Sequence, residues 1–326
     1  MKPKTNLFNI FPWFNSGYHQ VATIFMLHRV YPLKKKNLSP NENLKISPMS
    51  LENFILELQT KGYEFISLDR LYEILQNGEK VKKKIVFTLD DGYRDNFIHA
   101  YPLFKKYKVP FTIYITTAFP DRKAVLWWYT LEELLLENDQ IDLSNGLTFK
   151  CSTKNEKEFA FRKIREQILS RSDIEILENL KQLFKNYEID WQKKHETLML
   201  DWEQIKKLSQ DELCTIGGHT LNHLSLRKLS IEDIIKEVLD ANNLLYKYTG
   251  KKIKHFAYPF GCQTTTGKRE YDIIKELGLK TAVTTRNGNI YLQHKEHMES
   301  LPRVYLGEDF NLKKLKKVKK KKFVLL

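Results

Sequence analysis

Ile85-Val86-Phe87-Thr88-Leu89-Asp90-Asp91-Gly92 joins a short apolar run to two adjacent carboxylates and a glycine. The nearly all-apolar stretch 85–89 suits a parallel strand covered on both faces, where neither side of the sheet meets water. Carboxylates at the carboxyl end of such a strand stand where α/β barrels place their reactive groups. Two like charges this close ionise together cheaply only when a cation or a proton separates their roles. Taken alone, the triplet also reads as an Asp-Asp-Gly turn, and in isolation that reading is the simpler one.

The same strand pattern recurs at 22–27, 63–68, 111–115, 213–216, 253–258 and 281–285. Amphipathic stretches at 50–61, 68–76, 96–106, 230–248 and 268–277 lie between them. Ser230 with Asp233 three residues on, and Gly278 just after Leu277, supply helix start and stop signals. Strand and helix in repeated alternation predict an α/β architecture with a mostly parallel sheet, open or closed. Residues 121–200 break that rhythm. They are rich in Glu, Lys and Leu, show helical periodicity at 131–136 and 159–187, and offer no convincing strand. They are expected to form a helical insertion in a barrel loop. Trp127-Trp128-Tyr129 opens it, either as a stacking platform for a sugar or, more ordinarily, as a buried anchor.

The chain has 326 residues, 42% of them hydrophobic, with 54 Lys and Arg against 40 Asp and Glu for a net charge of +14. That composition excludes a wholly disordered chain and a disulfide-stapled miniprotein. Cys151, Cys214 and Cys262 are too few and too scattered for a disulfide framework or a four-thiolate zinc site, which favours a reducing compartment. No stretch approaches the roughly 20 apolar residues of a spanning helix. Residues 21–27 are followed at once by His28-Arg29, without a small-residue cleavage site, so a cytoplasmic protein is expected.

Residues 311–326 hold eight lysines and no acid, and without them the balance falls from +14 to +6. Leu312, Leu315 and Val318 recur every third residue, and Phe323-Val324-Leu325-Leu326 closes the chain. The segment reads as a solvated tail or as a short basic helix on an anionic, inner-face membrane surface. It lacks the arginines and interleaved aromatics of a nucleic-acid arm, and no nucleic-acid partner is expected.

Two further motifs also follow strand patterns. In His219-Thr220-Leu221-Asn222-His223 the histidines stand at i and i+4, so a helical turn would aim both at one metal ion. With Asp91 they make a two-histidine, one-carboxylate set that leaves coordination positions open, as a catalytic site requires. Either histidine alone is more often structural. Phe256-Ala257-Tyr258-Pro259-Phe260-Gly261 is the third, a fixed loop that can aim a backbone N–H at a developing oxyanion, or simply a strand-ending turn.

In these motifs the chain resembles the polysaccharide deacetylases with NodB homology, of the carbohydrate esterase 4 type. Thr-x-Asp-Asp-Gly matches at 88–92, with Leu89 where Phe is usual, and His-Thr-x-x-His matches at 219–223. The likeness continues through Tyr93-Arg94-Asp95-Asn96, the segment 102–111 and Asp201-Trp202, and covers roughly residues 20–120 and 200–305. It implies a distorted (β/α) barrel over 1–310 that removes N-acetyl groups from a carbohydrate with one divalent ion, most often Zn2+. By motif match, Asp91, His219 and His223 would hold the metal, Asp90 would be the general base, and Tyr258, Pro259 and Phe260 would form the oxyanion and substrate loop.

The chain departs from the family in carrying Ala257 where many members have Arg, and Phe260 in place of Tyr. It also lacks a late Leu-x-His motif, reading Leu301-Pro302-Arg303 there. Met26-Leu27-His28-Arg29-Val30 instead resembles the permuted subgroup that deacetylates poly-N-acetylglucosamine, which implies His28 as the acid. His255, His294 and His297 are weaker alternatives, and Trp127, Trp128 and Arg303 are candidate substrate contacts. The expected activity is deacetylation of a surface-glycan precursor, such as a lipopolysaccharide, capsule or lipid-linked sugar. The competing expectation is a catalytically silent carbohydrate-binding or scaffold protein on the same fold.

Overall fold

Strand Lys84–Leu89 pairs in parallel with Gln20–Leu27 on one side and with Phe111–Ile115 on the other. The computed structural model describes residues 19–34, 37–170, 175–191 and 193–319. Seven strands close a ring in it: β1 (Gln20–Leu27), β2 (Lys84–Leu89), β3 (Phe111–Ile115), β4 (Cys214–Gly218), β5 (His255–Ala257), β6 (Thr281–Asn287) and β7 (Leu301–Tyr305). Each is parallel to its neighbours, and β7 pairs back onto β1 through Phe25↔Val304 and Met26↔Tyr305. The fold is a (β/α) barrel. It is distorted where β4 meets β5 through Phe256↔Gly218, and where the β6–β7 register shifts between Val283 and Asn287.

Period-two alternation places Phe25, Phe87 and Phe111 against helices Pro48–Thr60 and Tyr101–Lys106 in one core. Ile24, Val86, Tyr114, Ala257, Val283 and Leu301 fill a second core inside the ring. Tyr114 occupies the space beside Gly217, where a Cβ would come within 2.4 Å of its ring. Helix Leu68–Gln76 closes the amino end of the barrel, adding Leu68, Leu71, Ile74 and Leu75 to the inner cluster.

Four local expectations are corrected. The stretch 96–106 opens as a π-helical turn, Asn96–Ala100, before its α-helix, because Pro102 has no N–H to donate to the carbonyl of residue 98. The stretch 63–68 is extended in the sheet only over Glu64–Phe65, since Ser67 caps the next helix through the Arg70 N–H. The insertion holds helices Trp127–Glu137, Lys154–Leu169, Ile176–Leu183 and His195–Leu198 around their own core, but also an antiparallel hairpin, Gln140–Asp142 with Thr148–Lys150. Its strands are three residues long and largely polar, so no apolar run announced them. Finally, helix Leu312–Lys319 carries Leu312 and Leu315 into the barrel's outer core, so these leucines face protein and are not free for lipid. The closing Phe323-Val324-Leu325-Leu326 lies outside the described residues. No helix among the described residues is long and apolar enough to cross a membrane.

Candidate active site

Asp90 and Asp91 leave the carboxyl end of β2 and part at once. Asp90 N–H still bonds Leu27 O at 3.0 Å, whereas Asp91 and Gly92 take left-handed backbone, φ 73° and 81°. Glycine is required at 92 twice over, for that φ and because a Cβ would meet Ile115 Cδ1 at 2.9 Å. The reversal sends the two buried carboxylates to different partners.

Asp90 faces the barrel interior and Arg303. Arg303 Nη1 and Nη2 donate to its two oxygens, each at 2.7 Å, while Nη1 also reaches Thr88 Oγ1 at 3.0 Å and Nε donates to Thr284 O at 2.9 Å. Burial pushes the Asp90 carboxyl up, but the charge and hydrogen bonds of Arg303 outweigh it and hold the group below the ordinary aspartate value. Arg303 was expected among the substrate contacts. Its guanidinium is instead fully buried and engaged on β7, which makes it the partner of Asp90. Charge pattern alone did not single it out, because Leu301-Pro302-Arg303 is an apolar, proline-containing strand whose register places the arginine inward.

Asp91 faces His219 and His223, whose Nε2 atoms lie 3.2 and 3.3 Å from its Oδ1. The expected helical turn is absent. Residues 219–223 form a loop with Thr220 and His223 at φ 63° and 59°, closed by His223 N–H on Thr220 Oγ1 at 3.0 Å. Glu237 dictates that shape. Its buried carboxylate accepts from Leu221 N, Asn222 N and Asn222 Nδ2 at 3.1, 2.9 and 2.7 Å, so the backbone donors are satisfied without a helix. Sequence reading missed Glu237, although an acid on the apolar stripe of Ile234, Val238 and Ala241 was a visible anomaly.

The three side chains fit a cation. Asp91 Oδ1 is buried without a hydrogen-bond partner, and one ligand atom from each residue lies within 4.8 Å of the others. His219 Nδ1 is 2.7 Å from Ala257 O; donating there, it turns the Nε2 lone pair toward Asp91 and the shared point. Two imidazoles beside one carboxylate oxygen, with no donor properly aligned to it, is the arrangement a divalent ion completes.

His28 follows β1, and its backbone O accepts from Asn96 Nδ2 at 3.0 Å. Its Nδ1 is buried without a partner. Burial lowers its pKa against the opposing pull of Asp91 and Asp90. Next to it, Arg29 is caged by the rings of Tyr31, Tyr93 and Tyr129 at 5.2–5.5 Å and donates to Asp95 at 2.6 Å.

Across from the triad, Phe260 (φ 60°) packs its ring 4.8 Å from that of His223. Thr285 Oγ1 donates to Phe260 O at 2.8 Å and Thr285 N–H to Gly261 O at 3.0 Å, and no acceptor among the described residues takes the Phe260 N–H. Pro259 fixes the turn, while the Tyr258 side chain points away, its hydroxyl donating to Glu299 O at 2.8 Å. Trp128 reaches the site: its ring is 5.8 Å from His223 and its Nε1 donates to Tyr93 Oη. Trp127 is 5% exposed and packed in the insertion's core, as an anchor. His255 and His294 are buried elsewhere, His255 at the opposite end of the barrel against Asp69 and His294 against Tyr291; His297 lies beside Glu299.

A family model described as Polysaccharide deacetylase matches residues 77–282, more than half of the chain. The chain belongs to the polysaccharide deacetylase family. YxkH of Bacillus subtilis (strain 168), assigned to the polysaccharide deacetylases by name, is 30% identical over 120 residues, which is 34% of this chain and 43% of YxkH. The chain therefore spans less than half the length of that curated relative. Among solved structures, the Streptococcus pyogenes deacetylase PplD, in complex with acetate, superposes with a TM-score of 0.62 at 19% identity, over 93% of this chain and 99% of its own. IcaB from Ammonifex degensii gives 0.56 at 17% identity, over 89% and 93%. At those identities the structures establish the shared deacetylase fold.

Proposed function

We propose that the protein is a metal-dependent hydrolase that removes N-acetyl groups from a carbohydrate. The observation that carries the proposal is the division of two adjacent carboxylates: Asp90 held by a buried arginine, and Asp91 facing two imidazoles with one oxygen unfilled. A binding protein has no need of that division. Asp91, His219 and His223 would hold the ion, and two nitrogen ligands with one oxygen ligand suit Zn2+. When bound, such an ion supplies Lewis-acid polarisation of water and of the acetyl carbonyl oxygen.

The remaining steps belong to the chain. Asp90, kept ionised and aimed by Arg303, takes a proton from the attacking water. The unclaimed Phe260 N–H donates to the carbonyl oxygen as negative charge develops on it. His28 gives a proton to the departing sugar nitrogen. Its lowered pKa makes the imidazolium a stronger donor, while reducing the protonated fraction at neutral pH. Trp128 and Phe260 offer rings against the sugar. The closing of the set by His28, directly after β1, supports a substrate of the poly-N-acetylglucosamine type, as part of a surface-glycan precursor. Leu312 and Leu315 are buried, so these two leucines do not contribute to attachment at an anionic membrane, which would draw on the lysines.

Acetate release from N-acetylglucosamine oligomers tests the reading. Turnover by the zinc-loaded protein, cut by about 10²–10⁴ in Asp90→Asn and at least about a hundredfold in His28→Gln, is expected. Zinc-loaded protein that releases no acetate from any N-acetylated sugar contradicts it, and His28→Gln with near-normal turnover removes His28 from the acid role.

A further inference from the structure

Arg286 carries a guanidinium that the described chain leaves without a counter-charge. It follows Thr285 on β6, so it stands directly behind the loop that presents Phe260. Its guanidinium lies 4.9 Å over the Tyr271 ring, and its Nε is buried with no acceptor. It lines a cavity of about 540 Å³ bounded by the first turn of helix Lys268–Glu276, by Gln263 of the 260–263 loop, and by Glu296 to Ser300.

Two more polar atoms on the same wall are unpartnered although their side chains are more than nine-tenths buried. These are Thr266 Oγ1, on a residue 1% exposed, and Tyr271 Oη, on one 8% exposed. Buried polar groups in folded proteins nearly always have partners, so three orphaned donors around one cavity call for an acceptor from outside the chain. The charge balance says which kind. Two of the three acids of the wall are met by cations, Asp272 by Lys268 at 2.6 Å and Glu296 by Lys295 at 3.5 Å, and Glu299 has the His297 imidazole at 3.7 Å. Arg286 and Lys275 have no such partner among the described residues, and Arg227 commits an N–H to Gln263 O at 2.8 Å. The cations of the cavity are in excess of its acids once these pairs are removed.

We propose that this cavity is a second binding site that takes an acidic group, a phosphate or carboxylate, carried on the glycan being deacetylated. The Arg286 fork, held flat by Tyr271, receives two oxygens of that group. Thr266 and Tyr271 donate their hydroxyl hydrogens, and Arg227 and Lys275 add the surrounding positive field. The placement suits one ligand crossing both sites, because the 260–263 loop meets His223 through the Phe260 ring and meets the cavity through Gln263. The glycan-borne part of the proposal rests on the deacetylase reading, and the acid-binding part does not.

Calorimetric titration of the full chain with inorganic phosphate tests the acid-binding part without turnover. Saturable binding to the wild type, weakened at least tenfold in Arg286→Gln and several-fold in the shape-preserving Thr266→Val, is expected from loss of a charged and of a neutral hydrogen bond. Absence of saturable binding, or equal binding by folded Arg286→Gln, overturns the site. Acetate release from an N-acetylated oligosaccharide bearing a uronic acid, compared with an uncharged one of equal length, assigns the source. Arg286→Gln should raise KM about tenfold for the acidic substrate with kcat retained, and leave the neutral substrate unchanged. Equal effects on both overturn the glycan-borne group and make free phosphate the ligand. If neither substrate releases acetate from the wild type, the deacetylase reading fails while the phosphate titration still decides the site.

Discussion

The barrel sets a carboxylate against imidazole at each end, one histidine at the amino end and two at the carboxyl end, and the two assemblies differ in what completes them. At the amino end, His255 opens β5, Thr281 opens β6, and Asp69 lies in the first turn of helix Leu68–Gln76. His255 Nδ1 is 2.8 Å from Thr281 Oγ1, its Nε2 is 3.5 Å from Asp69 Oδ1, and Lys280 Nζ reaches the same oxygen at 2.7 Å, with Lys254 at 4.0 Å from Oδ2. At the carboxyl end, Asp91 Oδ1 lies between two imidazoles with no aligned donor. Asp69 has its cations built into the chain. Asp91 does not, and that missing charge is what makes one cluster a pillar and the other a site.

The largest effect expected from breaking this comparison is on turnover. Asp90→Asn should lower kcat by about 10²–10⁴ in protein that calorimetry shows to be folded at the assay temperature, although the loss of the buried counter-charge of Arg303 also lowers its unfolding temperature. The next largest is on stability. Arg303→Met strips a buried carboxylate of its partner and should cost about 3–5 kcal/mol in denaturant unfolding. It should also move the acid limb of kcat/KM upward in pH. With Arg303 present, the Asp90 pKa is below the ordinary value and the limb lies correspondingly low; without it, burial is opposed only by the smaller effects of His219 and His28, and the pKa rises.

At the other end, Asp69→Asn should leave kcat unchanged and lower stability by about 1–3 kcal/mol at neutral pH. The folded-state pKa of Asp69 is depressed by the nearby His255 imidazole and by the Lys280 and Lys254 ammonium groups, against the opposing effect of burial. Its stabilisation is therefore complete above the unfolded carboxylate range and lost as pH falls through the folded value. The variant should lack that part of the acid unfolding profile. The smallest effect concerns His195 in the insertion, buried with both ring nitrogens unpartnered and its pKa lowered to about 4 by burial. Its neutral form is favoured in the fold, so stability falls as pH drops below the ordinary histidine range of about 6.5 toward 4. His195→Phe should flatten that segment of the pH–stability curve.

What could be read from the sequence divides along the same line. Strands β2 and β3 and helix Leu68–Gln76 announce themselves because burial on both faces, or on one stripe, imposes a period on the residues. Asp91, His219 and His223 stand out because each follows a strand, and the barrel gathers strand ends in one place. The pairing of Asp90 with Arg303 depends on the register of β7 against β1, a long-range fact that Leu301-Pro302-Arg303 does not encode locally. The i, i+4 spacing of the histidines suggested a helix because spacing alone ignores Glu237, which satisfies the loop's amides from another element. Trp127 and Trp128 are adjacent and chemically alike, and only the packing of the insertion sends one inward and the other toward His223.

Equilibrium dialysis against zinc, with wild type, Asp91→Asn and Asp69→Asn side by side, tests most directly the claim that the two ends differ by one missing charge. One equivalent of tightly held zinc is expected in the wild type and in Asp69→Asn, and none in folded Asp91→Asn. A wild type that holds no zinc, or an Asp91→Asn protein that holds it as tightly, would contradict it.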